Sequence, residues 1–313
     1  MFQLFNPDSN LPFMRWGRIT VILSSLLILA AFVLLFRPGL NFGLDFTGGS
    51  LVELHFDDPA DLAEVRGKLA DAGYPDAVVQ TFGSSRDIVV RLAPREGRAE
   101  AEDLGREVQA ELANAGLPSE LKRNEFVGPQ VGRELAEDGV VAIVVVIIGI
   151  LIYIAARFEW RFAIAAIAGQ VHDTMLTVGF LVLIGMEIDL TVLAALLAVV
   201  GYSINDKIVV FDRIRENFRV SRRMSPEEVV NSSVNTTLSR TVITSLLTLL
   251  AVSALYFAGG PALEGFSLTL IAGIIIGTYS SILFASPILV KLGVTKQDLM
   301  PKVRDESELA RRP

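Results

Sequence analysis

An aspartate and a lysine stand side by side in an otherwise apolar run. The segment is Leu190 to Phe211, LTVLAALLAVVGYSINDKIVVF, and the pair is Asp206-Lys207. A carboxylate at membrane depth is costly, so groups of this kind mark proton or ion pathways by default. On a helix, Tyr202, Asn205, Asp206 and Val209 share a face through i, i+3 and i+4 spacing. Tyr202 and Asn205 are expected to hydrogen-bond the carboxyl group in either protonation state. The bland alternative is that the span ends early and leaves Asp206 at the interface, about 9 Å along the axis from Asp212. Lys207 lies about 100° around the helix from Asp206 and is expected to snorkel to the headgroups rather than act.

Arg240 is the natural counter-charge. It opens the next apolar run, which enters the membrane on the side where the Asp206 run leaves it. A guanidinium close by favours the ionised carboxyl group, and a second state that withdraws it favours proton uptake. The pair Asp206 and Arg240 is therefore the expected proton path, with Asn205, Tyr202, His172 and Asp173 as lesser candidates. His172-Asp173 sits inside a third apolar run. It is either a relay, since histidine titrates near neutral pH, or a structural pair between helices. A hydroxyl row flanks Arg240 at helical spacing: Thr237, Thr241, Thr244, Ser245 and Thr248. It reads as a water path or as helix-packing glue, the second being the commoner use. Gly273 and Gly277 form a GxxxG that reads as a packing face.

These residues need helices to hold them at depth. The chain has 313 residues, 51% of them hydrophobic, and no cysteine. The apolar residues gather in six candidate spans, at 17–36, 139–156, 162–184, 190–211, 241–258 and 266–290. Each is near the length of about 20 residues that crosses a bilayer. The first keeps a long apolar stretch ending at Arg37-Pro38, without a small-residue cleavage site, and reads as a retained helix. Short basic connections after spans two and four, with basic ends before span one and after span six, alternate with acidic ones. That pattern places both termini in the cytoplasm and residues 38–138 outside. The expected divisions are 1–37 (tail and first helix), 38–138 (external domain), 139–291 (five-helix bundle) and 292–313 (cytoplasmic tail).

The external segment alternates strand and helix patterns: a strand at 50–56, a helix at 58–72, a hairpin at 77–82 and 87–92, a helix at 100–115 and a strand at 121–127. The order β-α-β-β-α-β predicts a small ferredoxin-like α+β module. The fold class is an α-helical polytopic membrane protein with six transmembrane helices and one extracytoplasmic domain of this kind. The net charge of −7 is concentrated in that external stretch and argues against a nucleic-acid partner. Neither a His/Cys cluster nor a nucleophile–base pairing is visible, so no metal, cofactor or enzymatic activity is expected. Phe42 to Ser50, FGLDFTGGS, is glycine-rich but lacks the GK[ST] of a phosphate loop. Gly43, Asp45, Gly48 and Gly49 are expected to form a hinge, with Gly128-Pro129 through Gly139 as a second. Ser225-Pro226-Glu227-Glu228 reads as the start of a helix leading into the fifth span.

Several of these stretches together resemble the SecD/SecF protein-export family, and its SecF branch in particular. They are Phe42 to Ser50, Gly201 to Asn217 (GYSINDKIVVFDRIREN), Leu238 to Ser245 (LSRTVITS) and His172-Asp173. The resemblance covers essentially the whole chain. It implies a subunit that pairs with a SecD-like partner into a pseudo-symmetric core related to the RND transporters. It also implies work beside the SecYEG channel and the SecA motor in a bacterial cytoplasmic (inner) membrane. There the pair would draw unfolded preprotein outward on a proton gradient, or on a sodium gradient as some members do. In that scheme Asp206 and Arg240 belong to the proton path. Two other readings stay open, a non-energised scaffold for the channel and half of an RND-type small-molecule exporter. An intramembrane aspartyl protease is disfavoured because no paired GxGD-type motif is present.

Overall fold

The computed structural model describes residues 10–93, 101–221 and 223–295. The start of the chain, Arg222 and the basic tail from Lys296 lie outside the described residues, and with them part of the charge pattern used for orientation.

Six helical spans are long and apolar enough to cross a membrane. They are α1 (Phe13–Phe36), α5 (Pro129–Arg157), α6 (Trp160–Leu183), α7 (Leu190–Val220), α8 (Pro226–Ala258) and a composite sixth, Pro261–Lys291. The protein is a multi-pass membrane protein. The sixth span contains α9 (Glu264–Ser280), a π-helical turn (Ser281–Ala285) and α10 (Ser286–Lys291). Three spans run well past their apolar windows because the helix continues into the adjoining polar sequence. Helix α8 begins at the Ser225 capping box with Pro226 in its first turn, so span five starts fifteen residues before the apolar run at 241. Helix α5 begins at Pro129, ten residues before its apolar run at 139. The stretch expected to be a second hinge is therefore helical from its proline onward.

Between α1 and α5 lies the small α+β domain expected to be external. After a two-residue strand β1 (Asn41–Phe42) and a single turn α2 (Leu44–Thr47) come β2 (Gly49–Phe56), α3 (Leu62–Asp71), β3 (Val78–Phe82), β4 (Ser84–Leu92), α4 (Ala101–Asn114) and β5 (Ser119–Val127). The sheet is antiparallel in the order β3-β4-β2-β5, which is the ferredoxin-like arrangement. Alternation along β2 sends Val52, Leu54 and Phe56 inward, where they meet Val65 and Leu69 of α3 and Val108 and Leu112 of α4. Helix α3 starts at an Asp61 cap rather than at Asp58. Ala60, just before that cap, donates its N–H to the Ser85 carbonyl of the hairpin. A second two-residue strand, β6 (Glu187–Ile188), precedes α7 and pairs in parallel with β1.

On the sheet, Asp87 of β4 lies opposite His55 of β2 and accepts hydrogen bonds from the Ser84 hydroxyl and from His55 Nδ1, the latter at 2.6 Å. These two bonds, Ser84 first, hold the Asp87 carboxyl below its usual range. A depressed folded-state value gives stability that is present above the unfolded-state range. That stability is lost as pH falls through the folded value. Thermal unfolding of wild type and Asp87→Asn should therefore differ by a constant amount from neutral pH down to about 5. The gap should close below about pH 4. A gap independent of pH would assign the effect to packing.

Candidate functional site

Helix α7 carries two separate polar clusters on neighbouring faces. It is capped at Asp189, whose side chain accepts from the N–H of Val192 at 2.7 Å. At 1.5 Å per residue Asp206 lies about 24 Å along the axis from the first helical residue. That is within the span and toward the end where the chain continues to Val220.

The first cluster faces α8 and α9. Asp206 is 3% exposed. One of its oxygens, Oδ2, is buried with no hydrogen-bond partner among the described residues, as is the hydroxyl of buried Thr241 on α8. One turn toward the helix start, the Tyr202 hydroxyl donates to Ser245 Oγ at 3.3 Å, and Ser245 shares a 2.7 Å bond with Thr278 of α9. The expected partners of the carboxyl group divide. Tyr202 bonds Ser245 rather than Asp206, and Asn205 is exposed on the outside of the bundle. The reason is angular: Asn205 is one residue, about 100°, away from Asp206. Arg240 is also exposed. It lies within electrostatic reach of Asp206 but makes no ion pair among the described residues. The hydroxyl row on α8 divides too. Thr241 and Ser245 face inward, whereas exposed Thr244 and half-buried Thr248 bond their own helix.

The second cluster faces α6 and overturns the expectation for Lys207. This lysine is fully buried, not snorkelling. Its ammonium donates to Asp173 Oδ2 at 2.6 Å, to Ser203 Oγ, and at 3.4 Å to the Ser203 carbonyl. Ser203 Oγ also donates to Asp173, and His172 Nδ1 lies 2.7 Å from the other carboxylate oxygen. The His172 ring stacks on Phe284, 4.2 Å between centroids, in the π-helical turn of span six. Room for the lysine stem comes from Gly169, where a Cβ would overlap Lys207 Cε. The sequence holds the signal as two facing i, i+4 pairs, Gly169/Asp173 on α6 and Ser203/Lys207 on α7. It does not say that these helices face each other. The neighbouring GxxxG behaves as a packing face: Gly273 seats against Val199 and Gly277 against Ser203.

The glycine-rich segment is likewise not a free linker. Gly43 N–H donates to the Ile188 carbonyl at 2.7 Å, and Asp45 Oδ2 accepts from the N–H of Leu190 at 2.9 Å. Glycine at 43 permits this contact, since a Cβ there would lie 2.9 Å from Glu187 Oε1.

A model of the protein export membrane protein SecD/SecF C-terminal region matches residues 107–295, and one of the SecD/SecF GG motif matches 33–60. The chain belongs to the SecD/SecF protein-export family. It is 47% identical over 302 residues to the protein translocase subunit SecF of Vibrio alginolyticus, covering 96% of each chain. It is 52% identical over 268 residues to the SecF of Pseudomonas aeruginosa, covering 85% of this chain and 86% of that one. Among solved structures, SecDF from Thermus thermophilus, described as a translocon-associated membrane protein, matches with a TM-score of 0.84 at 38% identity. The match covers 92% of this chain and 39% of that one. A SecDF structure in a super-membrane-facing form matches at the same identity with a TM-score of 0.68, covering 93% of this chain and 39% of that one. The chain is thus a SecF-type translocase subunit that spans well under half of a fused SecDF chain.

Proposed function

We propose that this chain couples an ion gradient, with H+ as the ion and Na+ as the alternative, to late steps of preprotein translocation. It would do so with a SecD-like partner beside the SecYEG channel and SecA, in the bacterial cytoplasmic membrane with both termini inside. The observation that carries this reading is Asp206: an acid buried among helices, with one carboxylate oxygen that has no hydrogen-bond partner among the described residues. That oxygen can gain and lose a proton without breaking a hydrogen bond made to it. The Asp173 carboxylate, in contrast, is saturated by three side chains. A static scaffold would favour a closed Asp206–Arg240 pair, and the exposed guanidinium forms none among the described residues. Exposed Asn205 and Arg240 also suit a face covered by a partner, since polar groups left in lipid are costly. The family's fused SecDF chains are long enough to include such a partner.

The external domain would work by displacement. The two SecDF structures fit this chain differently at equal identity and near-equal coverage, which accords with a part that changes position. Export of a preprotein into membrane vesicles tests the reading. Stimulation by an imposed proton gradient, lost when the gradient is collapsed and not restored by a sodium gradient, is expected. Equal export with and without any gradient would leave the scaffold reading.

A further inference from the structure

Gradient-driven displacement requires that a change near Asp206 reach a domain on the far side of the membrane. We infer that the turn α2 clamps the external sheet to the start of α7, and that Asp45 is the positioning residue of this clamp. The inference rests on the coupling reading above.

Chain geometry leaves little slack. Only Gly48 stands between α2 and β2, the strand at the centre of the sheet. Gly48 takes a left-handed φ of 66°, a conformation that favours glycine. It is wedged against α5, because a Cβ on Gly132 would lie 2.9 Å from the Gly48 nitrogen. On its other side α2 is fastened to α7 by independent contacts. Strands β1 and β6 pair in register, Asn41 with Glu187 and Phe42 with Ile188. Phe46 packs on the small apolar cluster of Leu181, Ile188 and Val192. The Asp45 carboxylate accepts from the first N–H of α7. The first N–H groups of a helix have no intrahelical acceptor and form its positive end, so an anion there is held by both hydrogen bond and dipole. A further tie comes from the sheet itself, as Arg91 of β4 pairs with Glu187 of β6.

The same α7 carries Asp206. An axial shift or tilt of α7 on protonation change is therefore passed directly to β2, with Asp45 as the charged link. The glycines act as close-approach points, and the remaining freedom lies at Pro38-Gly39, where α1 meets the domain.

The test uses the full complex with its partner in proteoliposomes. This chain has no cysteine, so labels at Glu64→Cys on α3 and Leu183→Cys on α6 report external-domain position. Gradient-driven ion flux and export are measured alongside. Asp45→Ala should keep ion flux, lose the gradient-dependent distance change and lower export about tenfold, within the range of coupling factors between linked sites. Asp45→Asn keeps an acceptor oxygen at a favoured capping position and should restore all three readouts. Normal export and distance change in Asp45→Ala would overturn the clamp. So would loss of flux and export together in both variants, which would make Asp45 a general structural residue. If Asp206→Asn abolishes export while Asp45→Ala does not, the clamp fails and the coupling reading stands. A wild-type complex indifferent to the gradient removes the coupling reading itself.

Discussion

Asp206→Asn is expected to abolish gradient-stimulated export while leaving the bundle assembled. The substitution keeps side-chain volume and hydrogen-bonding capacity but cannot cycle a proton. Insertion should not suffer, because a neutral amide at membrane depth costs less than a carboxylate. Packing should not suffer either, since no group among the described residues donates a hydrogen bond to the Oδ2 position. What is lost is the ability of α7 to exist in two charge states. Arg240→Met should be inactive as well, with little change in stability, because the guanidinium is exposed and forms no ion pair among the described residues. Substitutions at such positions usually stay within about 0.5 kcal/mol. Export assayed with and without a gradient, beside complex yield, separates the outcomes. Full gradient stimulation in Asp206→Asn would remove this residue from the mechanism.

The parts of the fold that follow from local pattern were legible in the sequence. Six apolar runs of bilayer length gave six spans, and period-two alternation in residues 50–56 gave the central strand with its inward face. Helix extents were less legible. Hydropathy marks the hydrocarbon, whereas the helices of spans two, four and five are ended by caps lying in polar sequence. The Ser225 box was readable as such a cap, but Gly128 before Pro129 reads equally as a turn. Glycine was the most ambiguous letter. At positions 43, 48 and 132 it permits close approach between backbones, and nothing local distinguishes that use from a hinge. For the site, burial of Asp206 followed from its run. Its partners did not, because helical spacing says which residues share a face and not what stands opposite. Asn205 shares the i+3 face of Tyr202 yet points out of the bundle.

Lys207 is where this limit matters most, and it carries a large expected effect. The sequence places it about 100° from Asp206 on α7, a direction that suits snorkelling if that face meets lipid. The structure puts α6 there instead, with Asp173, Ser203 and Gly169 enclosing the ammonium. A snorkelling lysine could be replaced by methionine at almost no cost. A buried one cannot, because removing it leaves the Asp173 carboxylate uncompensated in a site without solvent access. Breaking a buried pair from one side typically costs about 3–5 kcal/mol. Lys207→Met should therefore lower the apparent midpoint of thermal unfolding by roughly 10 °C or more. Asp173→Asn alone should also destabilise, by stranding the ammonium. The double variant Lys207→Met with Asp173→Asn should recover much of the loss, since both charges leave together and the stem volume is retained. That recovery is the interaction energy of a double-mutant cycle. It is the readout that separates a charge pair from simple packing. If the two single losses add in the double variant, the contact is not an energetic unit, and Lys207 contributes only the volume of its methylene stem against Gly169.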